Sequence, residues 1–164
     1  MEGVTIRRMR VDDADGIANI LNQIIEKGGM TVINGPLTSW GERAFLRRFS
    51  KKGIFYVALT PKLVGFQVLE PFAPYSKAFD HVATMGTYIS LEERRKGIGA
   101  ELSRRTLEDA RKAGFEKIIT YVLHSNTAAL KFYKKLGFKA VGTAKRHAKL
   151  KGEYFDEIII EKIL

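Results

Sequence analysis

Apolar positions along the chain follow two rhythms, one of period two and one of three to four. Val4-Thr5-Ile6-Arg7 alternates and predicts a short strand. Ile17, Ile20, Leu21, Ile24 and Ile25 then recur at helical spacing, with Asp12 or Asp13 offering an N-cap and Gly28-Gly29 an end. A second helix is expected from near Thr38, with Phe45, Leu46 and Phe49 on its buried side. Ile54 to Leu59 and Leu63 to Leu69 flank the turn Thr60-Pro61-Lys62 and predict a hairpin. Pro71 and Pro74 interrupt, and Val82 to Ile89 resumes as a strand. Leu102, Thr106, Leu107 and Ala110 mark a helix closed by Gly114. Lys117 to Leu123 barely alternates, as a central strand should. Ala128 to Leu136 predicts a short helix ended by Gly137, and Phe138 to Val141 and Phe155 to Ile163 the last strands. The order β-α-α-β-β-β-α-β-α-β-β calls for an α/β (α+β) fold, one mixed sheet with helices on its faces.

The 164 residues carry no repeat and no Pro/Gly-rich linker, so one domain over residues 1–164 is expected. The absence of cysteine excludes disulfides, thiolate metal sites and a cysteinyl acyl-enzyme, and no metal is expected. The N-terminus lacks the apolar core of a signal peptide, and no apolar run approaches the ~20 residues that span a bilayer. A cytoplasmic protein without a membrane partner is the expectation. The formal charge of +10 suggests an anionic partner, or else a solvated basic surface.

The segment Arg94-Arg95-Lys96-Gly97-Ile98-Gly99-Ala100 narrows that choice. It lies between a strand and a helix, where glycines let the backbone approach a ligand and a helix N-terminus offers unpaired N–H groups. Three basic side chains add charge at the same place. No Gly-Lys-Ser/Thr follows, which excludes a P-loop. A dinucleotide fingerprint would need a third glycine where Leu102 stands, and a strand leading directly into the loop.

Thr87 through Ala100 resembles motif A of the GNAT superfamily of N-acetyltransferases, Gln/Arg-x-x-Gly-x-Gly/Ala. Asn126 through Phe138 resembles that superfamily's motif B, Asn-x-x-Ala-x-x-x-Tyr-x-x-x-Gly-Phe. Gly152-Glu153-Tyr154-Phe155-Asp156 is similar to a Gly-x-Tyr-x-Asp hairpin of the phosphinothricin, amino-acid and ribosomal-protein acetyltransferase subgroup. The resemblance implies a mostly antiparallel sheet with a splayed strand pair that holds acetyl-CoA as cosubstrate. It also implies an acetyl-CoA-dependent enzyme that acetylates a primary amine, in a family where dimers are common. Arg94, Arg95, Lys96, Gly97, Ile98, Gly99 and Ala100 would seat the pyrophosphate. Backbone N–H groups of Thr87, Tyr88 and Ile89 would polarise the thioester carbonyl, and Asn126 would reach the pantetheine arm while capping its helix.

In the same comparison Tyr133 matches the acid that protonates the departing thiolate; read alone, it is sooner a core aromatic beside Leu130 and Leu136. The base is open. Many relatives carry glutamate where Tyr121 stands, and others where Thr84 stands. His81 and Glu70 are the substitutes on offer, and a water chain is a third route. Without a cysteine, direct attack in a ternary complex is expected rather than a ping-pong route.

Lys131 to Lys151 holds eight basic residues and no acidic one, and His147 falls in it as part of a basic loop. Trp40 is expected either in the core or on the acceptor pocket. Two other classes fit the composition: a basic nucleic-acid or ribosome-associated module, and a CoA sensor without turnover. Nucleic acid is not the expected partner, because readers of single strands interleave aromatics with basic residues on an exposed sheet, and these strands look buried.

Overall fold

The computed structural model describes residues 3–164. Its elements are β1 (Thr5–Arg8), α1 (Ala14–Lys27), α2 (Ser39–Arg47), β2 (Ile54–Leu59), β3 (Leu63–Pro71), β4 (Val82–Ile89), α3 (Ile98–Lys112), β5 (Lys117–Leu123), α4 (Thr127–Lys135), β6 (Lys139–Leu150) and β7 (Glu153–Ile163). The strands form one sheet in the order β1-β2-β3-β4-β5-β7-β6. Every neighbouring pair is antiparallel except β4 and β5.

Two apolar layers sandwich the first strands. On one face α1 presents Ile17, Ile20, Leu21 and Ile24 to Phe55, Val57 and Phe66 of the sheet, with Leu46 of α2 beside them. On the other, Leu107 and Ala110 of α3 and Tyr133 of α4 pack on Leu69, Met85, Ile118 and Ile160. Each fully buried Leu or Ile contributes about 1.5–3 kcal/mol. Asp13 ties the first layer to the sheet edge. Its carboxylate takes a two-point contact from Arg7 at 2.8 Å and accepts from the Arg10 backbone N–H at 2.6 Å.

The feature that creates a site is a break in the sheet. β4 pairs with β5 only at Val82–Lys117 and Ala83–Ile118. β4 then stays with β3 up to Ile89, and β5 stays with β7 up to Leu123, so the two diverge. One side chain bridges the start of the gap: Thr120 Oγ1 donates to the Met85 carbonyl at 2.9 Å.

The last hairpin departs from expectation. The short strand expected over Phe138 to Val141 is the start of a twelve-residue strand, β6, and β7 begins at Glu153. β6 is the sheet edge and is exposed on both faces for most of its length, so it shows no apolar alternation, and its lysines guard the edge. His147 therefore sits in a strand, not a loop. A bulge precedes it: Arg146 takes a φ of 50°, and Asp156 holds it by accepting from Arg146 N at 2.7 Å and Lys145 Nζ at 2.9 Å.

Candidate active site

The gap between β4 and β5 opens into a cleft of about 550 Å³ walled by the end of β4, the loop into α3, and α4. The loop owes its shape to Gly97, whose φ of 83° is left-handed, and to Arg95 at a φ of 64°. Gly99, which borders the cleft, has a packing reason as well. A Cβ there would meet the Phe132 ring at 3.1 Å, so its smallness lets α3 and α4 close together.

The start of α3 fits an anion. The first hydrogen bond back to the loop is made by Glu101 N to Gly97 O, at 3.1 Å. The N–H groups of Ile98, Gly99 and Ala100 thus have no acceptor in the helix and form the positive end of its dipole. Arg94, Arg95, Lys131 and Lys135 line the same cleft, and no ion pair joins them to a carboxylate among the described residues. Lys96 does not line it; its ammonium is spent on Glu93 at 3.0 Å. The other positions expected to contact a cosubstrate, Thr87, Tyr88, Ile89, Arg94, Arg95, Gly97, Ile98, Gly99, Ala100 and Asn126, all border the cleft.

Strand register sorts the expected backbone donors. Ser90 N donates to Val64 O at 2.8 Å, which makes that pair and, by alternation, Tyr88–Phe66 the hydrogen-bonded pairs of β3 and β4. The backbone of Tyr88 is therefore turned to β3 and is no carbonyl-polarising donor. Thr87 and Ile89 turn theirs to the gap, where β5 no longer answers. The Thr87 N–H lowers the neighbouring Tyr133 phenol, and Ile89 N–H faces the gap without a β5 partner.

Tyr133 is only 5% exposed, yet it lines the cleft, and its hydroxyl lies 3.0 Å from Thr87 Oγ1. Burial pushes its phenol well above the ordinary tyrosine value, and the Thr87 hydroxyl and N–H pull against that. It stays protonated at neutral pH and is equipped to give a proton. Both readings of Tyr133 hold together, since it also packs edge-on against Phe138. Asn126 caps α4 through Ala129 N at 3.1 Å and donates to Met30 O at 3.2 Å, tying the loop after α1 to the cleft rim.

The proposed bases separate. His81 precedes β4 at its far end, seven residues from Tyr88 and so about 23 Å along the strand, and borders a different hollow with Lys52 and Asp109. That distance removes it from the chemistry. Glu70 stands on β3 directly opposite Thr84, on the sheet face that carries the Tyr88 ring. Burial raises its carboxyl above the usual range. The Tyr88 ring folds back over Gly86, and its hydroxyl, raised by burial and lowered by Thr31, is raised again by Glu70. Across the gap on β5, Tyr121 stacks on His147 at 5.1 Å, and buried Glu157 meets His147 Nδ1 at 2.8 Å. Trp40 is 80% exposed, which takes it out of the core.

Sequence reasoning missed Gln67 and Ser103, which lie behind Thr87. The available signal was one amide inside the apolar run of β3. Glu157 was missed as a buried group because the bulge that brings His147 to it has no signature in a run of lysines.

Comparisons with known proteins agree with this geometry. Residues 6–159 match the family described as Acetyltransferase (GNAT) domain. An L-amino acid N-acetyltransferase of Escherichia coli is 31% identical over 84 residues, 51% of this chain and 52% of that protein. The chain thus spans about half the length of that relative, and 24% and 31% of two others. Among solved structures, a ribosomal-protein-alanine N-acetyltransferase from Brucella melitensis superposes with a TM-score of 0.90 at 24% identity, covering 98% of this chain and 99% of the other. A phosphinothricin acetyltransferase from Sinorhizobium meliloti, in complex with AcCoA, gives 0.89 at 21% identity, covering 99% and 89%. At these identities the two structures speak for the fold.

Proposed function

The chain belongs to the GNAT acetyltransferase family, and from that premise we propose that it is an acetyl-CoA-dependent N-acetyltransferase acting on a primary amine by direct attack in a ternary complex. The observation that carries the reading is Tyr133: a buried, protonated phenol on the wall of a gap whose backbone N–H at Ile89 has lost its strand partner. The alternative of a basic nucleic-acid module finds no support in β6, where the basic residues guard a sheet edge. The relatives' printed substrates, L-amino acids and a ribosomal-protein alanine, are the first acceptors to try.

In this reading the α3 N-terminus, with Arg94, Arg95, Lys131 and Lys135, holds the pyrophosphate and 3′-phosphate of the cosubstrate. Ile89 N–H donates to the thioester oxygen, where a donor of this kind is worth about 3–4 kcal/mol as negative charge develops. The amine approaches from the α1–α2 face and loses its proton to Glu70, directly or through water. Its nitrogen attacks the carbonyl carbon, the C–N bond forms, the nitrogen sheds its second proton to water in the cleft, the C–S bond breaks, and the Tyr133 proton goes to the sulfur and is replaced from solvent. Glu70, which has no ion-pair partner among the described residues, supplies the base that Tyr121 and Thr84 do not.

The test is thiol release from acetyl-CoA across free L-amino acids, their amides, short alanine-terminated peptides and simple alkylamines. Tyr133→Phe should lower kcat at least tenfold with KM for acetyl-CoA within about threefold, in line with the usual worth of a general acid. Equal rates would take Tyr133 out of the reaction. Gly97→Asp should abolish acetyl-CoA binding in a calorimeter, and unchanged affinity would move the pyrophosphate elsewhere.

A further inference from the structure

Gln67 lies in the middle of β3 with no exposed surface. Its Nε2 is 2.7 Å from Thr87 Oγ1 and 2.8 Å from Ser103 Oγ, and Ser103 Oγ donates to the Gly99 carbonyl at 2.8 Å. This network has one direction. A carbonyl oxygen cannot donate, so the single hydroxyl proton of Ser103 goes to Gly99. Ser103 Oγ must then accept, and only the NH2 end of Gln67 can supply it. The second amide proton goes to Thr87 Oγ1. With Gln67 donating, Tyr133 Oη, 3.0 Å away, is the acceptor left among the described residues for the Thr87 hydroxyl proton. With Tyr133 Oη accepting, its own proton points out of the network and into the cleft.

An amide is an expensive filler for this place. Gln67 Oε1 is buried with no hydrogen-bond partner among the described residues. Such an orphan costs about 1–3 kcal/mol, and a methionine of similar volume would fill the strand without it. What the amide adds is two donors aimed at two hydroxyls.

We propose that Gln67 is a positioning residue for acetyl transfer: by donating to Thr87 it sets the direction in which Tyr133 presents its proton to the departing thiolate. This rests on the reading of Tyr133 as the acid. When the C–S bond breaks, the proton moves from Tyr133 Oη to sulfur, and the phenolate left behind accepts from the Thr87 hydroxyl. The proton is restored from solvent through the cleft; none passes through Gln67.

A double-mutant cycle tests the idea, with acetyl-CoA as donor and hydroxylamine as acceptor, a nucleophile small enough to reach the thioester whatever amine the pocket selects. Gln67→Met should lower kcat at least tenfold with KM for acetyl-CoA within twofold. Introduced into Tyr133→Phe, it should cost less than twofold more. The same tenfold loss in both backgrounds would mean that Gln67 merely supports the fold, and would overturn the proposal. Gln67→Glu keeps the shape but accepts where the amide donates, which turns the network around; it should lose at least as much as Gln67→Met, and wild-type turnover in it would also overturn the proposal. Tyr133→Phe at the wild-type rate would instead sink the acid itself, a failure visible before Gln67 is changed.

Discussion

Glu70 and Asp13 are both carboxylates on or near the sheet, and their surroundings push them in opposite directions. Glu70 is raised by burial with nothing to offset it. Its folded form therefore holds a proton at pH values where the unfolded chain has released it. The contribution to stability is present below the ordinary carboxylate value and is lost as pH rises through the raised one. At pH 8 the ionised carboxylate is a liability that catalysis would explain. Glu70→Gln should raise Tm by about 2 °C at that pH while lowering kcat/KM at least tenfold. The wild-type rate should climb with pH through a limb above the ordinary glutamate range, and that limb should vanish in the variant. Thermal melts and a pH–rate series check both. A variant that gained stability and kept its rate would return the base to water or to the His147–Glu157 pair. Trp40 carries the opposite lesson: a large aromatic invites a role, and 80% exposure denies it a place in the core.

The elements themselves were largely legible, because each carries its own punctuation. Thr38, near which a helix was expected to begin, caps α2 by accepting from Gly41 N at 3.0 Å. α1 ends at Gly28, whose φ of 76° is one that other residues resist. α3 was underestimated at its start, since Ile98 to Glu101 reads as loop until the left-handed Gly97 is known. β6 was illegible for a physical reason: an edge strand exposed on both faces buries too little to leave a period. Asp13 proves to be a clasp more than a cap. Burial pushes its carboxyl up, and Arg7 and the Arg10 N–H more than reverse the shift, leaving it below the usual range. Its stabilisation is thus complete above the unfolded carboxylate value and fades as pH falls through the lower folded one. Asp13→Ala leaves Arg7 without its partner and should cost about 2–4 kcal/mol at pH 7, less at pH 3, by urea denaturation. A loss under about 0.5 kcal/mol at pH 7 would show the contact to be ornamental.

At the scale of the molecule, sequence could indicate that a glycine loop and a tyrosine helix belong to one site, because both flank strands of the same sheet. It could not show which side chains stand behind them. Gln67, Thr87 and Ser103 come from β3, β4 and α3 and meet only when the sheet and α3 are packed. Nor could it separate His81 from Glu70: His81 is the nearer to Tyr88 in sequence, yet it lies before the far end of β4, while Glu70 stands on β3 on the face that carries the Tyr88 ring. The register that turns Ile89 N–H to the gap and Tyr88 N–H away from it is likewise a property of the assembled sheet.

The short β4–β5 ladder has a mechanical consequence. A sheet joined at its middle by two residue pairs and one threonine strut is two ribbons that share a seam, β1 to β4 on one side and β5 to β7 on the other. A thioester lying along the seam would supply rungs that the protein omits. Occupancy should then slow amide exchange at Ile89 and couple the two ribbons into one unfolding unit, while Thr120→Val should let them part at lower temperature in the empty protein than in the filled one.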